Sequence, residues 1–298
     1  MKIINQEVNN KFSIFNGDCV EVLKQIPDNS IHYSIFSPPF ANLYTYSNSD
    51  RDMGNCKSDE EFLEHFRYLV KELNRVIMNG RLVSFHCMQI PLMKERDGVI
   101  GLKDFRGQLI RIFQEEGFVL HSEVTVWKNP VTEMARTKAL GLLHKQLKKD
   151  SSMSRQGIPD YVITMRKLGE NPEKITHTTE TFPVDAWQKY ASPVWMDIKQ
   201  SNTLNGKIAR VEEDERHICP LQLEIIKRCI ELWTNPNDIV LDPFAGIGST
   251  PYVALRMGRR GLGIELKESY YKQAVINCTD ALEEPKIEDL DGEIIKTK

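Results

Sequence analysis

No run of about eighteen consecutive apolar residues occurs in this chain of 298 residues, so no segment can cross a bilayer as a helix. The first residues, Met1-Lys2-Ile3-Ile4-Asn5-Gln6, lack the apolar stretch and small-residue cleavage site of a signal peptide, and a cytoplasmic protein is expected. There are six cysteines, Cys19, Cys56, Cys87, Cys219, Cys229 and Cys278, but no Cys-x-x-Cys pair. Their scatter suggests neither a zinc site nor a disulfide framework, so no metal is expected and most are read as small core residues. Neither sign of charge dominates, the net value being −3, which does not mark a polyanion-binding protein but can hide a local basic patch.

What is present is an alternation of strands and helices. Ser13 to Phe15 reads as a strand, Val20 to Ile26 as a helix, and Ile31 to Phe36 as a strand that stops abruptly at Ser37-Pro38-Pro39. Ser58-Asp59-Glu60-Glu61 has capping-box spacing ahead of Phe62, Phe66, Leu69, Leu73 and Val76, predicting a helix over about 59–78 closed by Gly80. Leu82 to Phe85 reads as a buried strand, Phe105 to Glu116 as a helix and Phe118 to Trp127 as one or two strands. After a long irregular stretch come a helix over about 220–233, a strand at Ile239 to Asp242, a helix marked by Ser249-Thr250-Pro251, a strand from Gly261 to Leu266 and a helix over about 268–282. This order predicts an α/β fold with a largely parallel sheet and ligands at the carboxyl ends of its strands.

The irregular stretch from Lys128 to about Glu215 is too long for an ordinary connection and is expected to be an insertion. Between Lys128 and Lys167 it carries nine basic residues (Lys128, Arg136, Lys138, Lys145, Lys148, Lys149, Arg155, Arg166, Lys167) against three acidic ones (Glu133, Asp150, Asp160). The expected division is therefore 1–128, an inserted region at 129–215, 216–283 and a polar tail at 284–298.

Asp242-Pro243-Phe244-Ala245-Gly246-Ile247-Gly248-Ser249-Thr250 lies between a strand and a helix, where a doubly wound sheet holds a nucleoside. Gly246 and Gly248 allow a tight turn close to the ligand. Glu265 stands 23 residues beyond Asp242, at the end of the next strand, placed to accept hydrogen bonds from a ribose diol. No lysine follows Gly248, which argues against an ATP-binding loop, and Pro251 occupies the position where a dinucleotide site wants a third glycine. A helix N-terminus with two glycines better fits a ligand without phosphates whose carboxylate uses the free N–H groups, as S-adenosylmethionine would. Glycines alone would signify only a strand-to-helix turn.

Two successive prolines after an apolar strand hold the backbone extended and remove two N–H donors. Ser37 offers a hydroxyl oxygen, Pro38 a carbonyl and Phe40 an aromatic face, which together could hold a planar heterocycle by its amino group. Taken alone, such a run is more often a structural turn.

Ser37-Pro38-Pro39-Phe40 together with Asp242 to Thr250 resembles the DNA amino-methyltransferases, whose hallmark is Asp/Asn/Ser-Pro-Pro-Tyr/Phe/Trp. The catalytic motif comes first and the basic segment lies between, the permuted order called the beta class. Gly17-Asp18-Cys19 and His217-Ile218-Cys219-Pro220-Leu221-Gln222 look like its flanking motifs, and the resemblance is carried by about 12–41 and 216–277. It implies a Rossmann-like S-adenosylmethionine-dependent methyltransferase sheet with an inserted target-recognition region. It implies a catalytic set of Ser37, Pro38, Pro39 and Phe40, and a cofactor set of Asp18, Cys19, Asp242, Pro243, Phe244, Gly246, Gly248, Ser249, Thr250 and Glu265. The adenine is expected near Asp18, the methionine part along 242–248 and the ribose at Glu265.

In the expected reaction Ser37 Oγ and the Pro38 carbonyl bind the hydrogens of an exocyclic amine, Phe40 stacks on the flipped base, and the nitrogen attacks the methyl directly. Serine at the first motif position resembles the cytosine-N4 enzymes; adenine N6 is the alternative, and an inactive DNA-binding regulator with the same fold is the alternative of another class. Arg136, Lys138, Lys145, Lys148, Lys149 and Arg155 are the expected contacts to double-stranded DNA, against the blander reading of a solvated charged surface. Tyr44 and Tyr46 are read as loop aromatics, and Trp187, Tyr190 and Trp195 as anchors of the insertion. The class admits a homodimer and a companion restriction enzyme, for neither of which the sequence carries a signal.

Overall fold

The structure, a computed structural model, describes residues 3–40, 53–56, 58–137, 139–204 and 220–283. Tyr44, Tyr46, Lys138, His217, Cys219 and the tail at 284–298 lie outside the described residues. The strands are β1 (Asn5–Val8), β2 (Phe12–Asn16), β3 (Ile31–Phe36), β4 (Ile77–Met88), β5 (Ile90–Leu92), β6 (Gly101–Lys103), β7 (Phe118–Val126), β8 (Asp160–Lys167), β9 (Val194–Trp195), β10 (Ile239–Asp242) and β11 (Arg260–Glu265). The helices are α1 (Cys19–Leu23), α2 (Asp59–Val76), α3 (Lys94–Asp97), α4 (Phe105–Glu115), α5 (Pro130–Thr137), α6 (His144–Lys149), α7 (Val184–Tyr190), α8 (Leu223–Trp233), α9 (Ser249–Arg256) and α10 (Glu268–Glu283).

Nine strands form one sheet in the order β1-β2-β11-β10-β3-β4-β8-β7-β9, while β5 and β6 pair separately. The five consecutive strands β2, β11, β10, β3 and β4 are parallel, and β8 runs antiparallel between β4 and β7. Alternation along β3 sends Tyr33 and Ile35 into one core, with residues of α8, α9 and α10, and Phe36 into the other, with residues of α1, α2 and α4; Ile31, before the register shift, joins the second core. Helices thus cover both faces, as a parallel sheet requires.

The capping box forms as read: Ser58 Oγ accepts from the Glu61 N–H at 3.2 Å, and Phe62, Phe66, Leu69, Leu73 and Val76 are buried. The helix nevertheless ends at Val76, not 78, because Ile77 already pairs with Ile31 in β4. Gly80 therefore does not close the helix. It sits inside β4 at φ 71°, within a bulge that separates the Ile31–Ile77 and Tyr33–Leu82 pairs.

The expected insertion at 129–215 does not stand apart from the sheet. β8 inserts between β4 and β7, with Asp160, Val162, Ile163, Thr164, Met165 and Lys167 buried, and Trp195 of β9 pairs with Val126. Trp195 and Tyr190 are buried as expected of anchors; Trp187 is exposed. What lies between β7 and β8 is α5, α6 and their turns, so the division at 129 holds a smaller separate region than the sequence suggested.

At the amino edge of the sheet, fully buried Arg81 donates to the carbonyls of His32 and Glu173, both at 2.9 Å, and pairs with the Asp238 carboxylate. This guanidinium ties β4 to the starts of β3 and β10. Replacement by methionine keeps the bulk but strands Asp238 without its cation. Arg81→Met is expected to lose about 3–5 kcal/mol in urea unfolding, the cost of breaking a buried pair from one side; Arg81→Met with Asp238→Asn should regain part of that loss.

Candidate active site

The strand order decides which side chains meet at the carboxyl edge. β2, β11, β10, β3 and β4 end, in sequence across the sheet, at Asn16, Glu265, Asp242, Phe36 before Ser37, and Met88 two residues past His86. β8 is antiparallel, so its first residue, Asp160, reaches the same edge opposite Met88. Residues spread from 16 to 265 are thereby neighbours.

On the β10–β11 side the turn after Asp242 is tight. Asp242 Oδ1 accepts from the Phe244 N–H at 2.9 Å, Ala245 N donates to the Ile264 carbonyl at 2.9 Å, and Gly248 N to the Ala245 carbonyl at 2.7 Å. Gly246 and Gly248 take φ of 53° and 84°, values that disfavour any side chain. Gly248, not Ser249, is the N-cap of α9, and Thr250 Oγ1 ties the helix to β3 by donating to the Ile35 carbonyl at 3.1 Å. The Asp242 carboxyl is wholly buried. Desolvation pushes its pKa up to about 7, against the neighbouring Thr250 hydroxyl and the Phe244 N–H, which favour ionisation.

Glu265 is held from both sides: Oε2 accepts from the Gly246 N–H and Oε1 from the Lys267 N–H, each at 2.8 Å. Asn16 donates Nδ2 to the carbonyls of Glu265 and Leu266 at 2.9 Å, and its buried Oδ1 has no hydrogen-bond partner among the described residues. Asp18 caps α1, accepting from the Glu21 N–H at 3.0 Å. A buried acceptor, a fixed carboxylate, a second acid and open space beyond the Cα of Gly246 form a donor set suited to a nucleoside bearing a cationic amino-acid tail. Cys19, Pro243, Ser249 and Thr250 are buried among the core and turn, and Phe244 lays its ring 5.8 Å from that of Phe36, so these shape the edge rather than face out of it. Burial raises the Cys19 thiol well above its ordinary value, which leaves it no nucleophilic role.

On the β3–β4 side Ser37 Oγ lies 3.2 Å from His86 Nδ1, and His86 Nε2 lies 3.2 Å from Asp160 Oδ2. Asp160 Oδ1 is 2.5 Å from Lys128 Nζ. Pro38 is buried, while Pro39 and Phe40 are half-buried; the Phe40 ring packs at 6.2 Å on Phe105. His86, Asp160 and Asn16 were not among the candidates read from the sequence. His86 follows directly on the apolar run Leu82–Phe85, and a polar residue at that point of a buried parallel strand was the available signal. Asp160 gave none, because β8 itself went unseen.

The basic candidates separate. Lys145, Lys148 and Lys149 are exposed on α6. Arg136 is in α5, its side chain outside those described. Arg155 is half-buried, with its backbone N–H bonded to the Gly141 carbonyl at 3.0 Å and its guanidinium to the Gln156 carbonyl at 3.0 Å, so it braces a turn. Lys128 is engaged by Asp160, and Lys167 donates to Asn29 and the Ile77 carbonyl. Among the described residues, His32, Glu173 and Asp238 have metal-ligand spacing, but they sit at the opposite edge, where Arg81 already holds Asp238. No helix among the described residues is long and apolar enough to cross a membrane.

The family model for N6/N4 DNA methylases matches residues 31–276, spanning both halves of this edge and the segment between them. The chain belongs to the N6/N4 DNA methylase family. Among curated relatives, the type II methyltransferase M.BglII of Bacillus subtilis is 26% identical over 259 residues, covering 86% of this chain and 66% of the relative. The DNA adenine methyltransferase YhdJ of Escherichia coli is 25% identical over 278 residues, covering 88% and 81%. Two solved structures share the fold. A DNA modification methylase of Thermus thermophilus, complexed with S-adenosyl-L-methionine, gives a TM-score of 0.67 at 22% identity over 91% of this chain and 94% of its own. The cytosine-N4-specific PvuII DNA methyltransferase gives 0.66 at 20% identity over 95% of both. The expected S-adenosylmethionine-dependent methyltransferase sheet in beta-class order is therefore the fold of this methylase.

The raised Asp242 pKa has a measurable consequence. In the unfolded chain this group ionises near pH 4, in the ligand-free fold near 7, so the native state holds the extra proton between the two. Its contribution to stability therefore falls as pH rises from 4 to 7 and is level above. Thermal unfolding of wild type and Asp242→Asn across pH 5 to 8 is expected to show the variant gaining relative stability up to pH 7, by a few kcal/mol at most; parallel curves would contradict the burial argument.

Proposed function

We propose that this methylase transfers a methyl group from S-adenosylmethionine to an exocyclic amine of a base in double-stranded DNA, cytosine N4 before adenine N6. The observation that carries this reading is adjacency. The edge formed by Asn16, Asp18, Asp242, Gly246 and Glu265 suits the cofactor, and β3, the next strand after β10, ends at Ser37-Pro38-Pro39-Phe40. When bound, S-adenosylmethionine supplies an electrophilic methyl on a sulfonium centre.

The chain's own residues do the rest. Glu265, already fixed by two backbone N–H groups, accepts from the ribose hydroxyls, and Asn16 Oδ1 is an acceptor for the nucleoside. Asp242 would take the ammonium of the amino-acid part, whose charge would favour the ionised carboxyl that burial opposes. Ser37 Oγ and the Pro38 carbonyl accept the two amine hydrogens, favouring a pyramidal nitrogen with its lone pair free for attack. Phe40, braced by Phe105, offers a ring face to a base flipped out of the duplex. Direct attack needs no enzyme nucleophile, and the described cysteines are buried.

Cytosine is preferred because serine opens the motif. Adenine N6 is the second reading, since the family covers both amines and both bases place the amine beside a ring nitrogen. The region between β7 and β8, with Lys145, Lys148 and Lys149 exposed along α6, is assigned to DNA contact, where each lysine neutralises a phosphate.

Incubation with labelled S-adenosylmethionine and mixed-sequence duplex DNA, followed by nucleoside mass spectrometry, is expected to give N4-methylcytosine. Methylated adenine alone would overturn the choice of base, and no label in any base would overturn the enzyme reading in favour of an inactive DNA-binding regulator. Ser37→Ala should lose turnover while calorimetry still detects cofactor binding, and Asp242→Ala should lose that binding. Changing Lys145, Lys148 and Lys149 to Gln should weaken DNA binding on all sequences and flatten its salt dependence by about one unit of slope per lysine.

A further inference from the structure

We infer that His86, oriented by Asp160, is the positioning residue that makes the Ser37 oxygen an acceptor and receives, through Ser37, the proton the amine gives up. The inference rests on the proposed amine methylation and assigns a role to residues that reading leaves unused.

The geometry begins with Asp160. It is buried at 3% exposure; desolvation works to raise its pKa, and a protonated His86 and the Lys128 ammonium outweigh that and hold it below the ordinary carboxylate range, Lys128 being the cation that remains when the ring is neutral. An ionised carboxylate only accepts. His86 Nε2 lies 3.2 Å from that carboxylate, within ion-pair reach though not aligned as a hydrogen bond, and the negative charge there favours the tautomer that carries its hydrogen on Nε2. In a neutral ring this leaves Nδ1 with its lone pair, directed at Ser37 Oγ 3.2 Å away. The Ser37 hydroxyl then donates inward to His86, and its oxygen lone pairs face the open edge. The competing acceptor for that hydroxyl, the His86 carbonyl, is farther, at 3.5 Å.

The roles match those of a serine, histidine and aspartate in acyl transfer, with the two ring nitrogens exchanged. Here no bond forms to Ser37. As the nitrogen–methyl bond forms and the sulfonium–methyl bond breaks, the amine nitrogen becomes cationic. It passes one proton to Ser37 Oγ, the original Ser37 proton moves to His86 Nδ1, and the imidazolium is left between Ser37 and the Asp160 carboxylate before returning its proton to water.

The charged groups around His86 are Asp160 on β8 and Lys128 after β7; on the Cys87 side of the strand stand Arg106 of α4, paired with Glu123 of β7 at 2.8 Å, and Asp104 ahead of α4.

Two measurements decide the matter. Nitrogen-15 spectra of histidine-labelled, ligand-free protein at pH 8, with the signal assigned by its absence in His86→Gln, should show His86 as the Nε2–H tautomer. Asp160→Asn, whose amide can donate to Nε2, should move it toward the Nδ1–H form. In single-turnover methylation His86→Gln should lower the rate about 10²-fold, within the range for a positioned proton acceptor. Asp160→Asn should slow turnover without changing the Kd for S-adenosylmethionine, and His86→Gln should cost nothing further in a Ser37→Ala background. An Nδ1–H tautomer in the wild type, an unchanged rate in His86→Gln, or full activity in Asp160→Asn would each overturn the inference. Should the variants fail to fold, the wild-type spectrum still decides the tautomer. A wild type that methylates no base would overturn the proposed function instead, a result the spectrum does not depend on.

Discussion

The short parallel strand β10 governs the rest of the architecture. It pairs with β11 through Val240–Gly261 to Asp242–Gly263 and with β3 through Val240–Tyr33 and Leu241–Ser34. Parallel pairing leaves no choice about which ends meet: the carboxyl end of β10 stands beside those of both neighbours, so Asp242 falls between Glu265 and Ser37. Side-chain bonds lock this register. Ser34 Oγ donates to the Leu241 carbonyl at 2.9 Å and Thr250 Oγ1 to the Ile35 carbonyl at 3.1 Å, each joining one half of the methylase domain to the other. A slip of one residue would turn Leu241 and Val240 to opposite cores as well as break both bonds.

The sheet edges are electrostatically different. At the amino edge a buried arginine satisfies one carboxylate and three strands are held by neutralised charge. At the carboxyl edge acids are concentrated: Asp242 is desolvated, with the Thr250 hydroxyl and the Phe244 N–H rather than a cation to oppose the shift, and Glu265 accepts from two backbone N–H groups. A desolvated acid with no counter-charge among the described residues is costly to a fold, and such groups cluster at functional sites. A cationic ligand fits that edge and would gain nothing at the other.

Much of this was legible in the sequence. The strands at 31–36 and 239–242 have the predicted bounds, the glycine turn and Glu265 meet where strand order requires, and the two hallmark motifs lie side by side. The missing part has one physical source. β8 is central, and its burial on both faces removes the alternation by which a half-exposed strand is recognised, while Asp160, Arg166 and Lys167 make its ends read as polar loop. Without β8 the stretch from 128 to 215 looked like one insertion, and Lys128 counted only toward its basic balance. His86 and Asp160 could not be paired by any rule of spacing, since 74 residues and an antiparallel crossing separate them.

The two halves of the reaction centre also differ in how they are built. On the cofactor side backbone groups carry the geometry, through N–H donors from Phe244, Gly246 and Lys267 and glycines in left-handed conformations, which is why local sequence revealed it. On the base side a chain of side chains does so, running Ser37, His86, Asp160, Lys128 across three strands and the segment after β7. The last member of that chain opens the basic region assigned to DNA. Lys128 is two residues before α5, so a displacement of that region by a bound duplex would act on the Lys128–Asp160 pair, and through it on the tautomer of His86. If the region after β7 holds the duplex and Ser37 the amine, as proposed, one ion pair joins the two, and the direction of the Ser37 hydroxyl would depend on both.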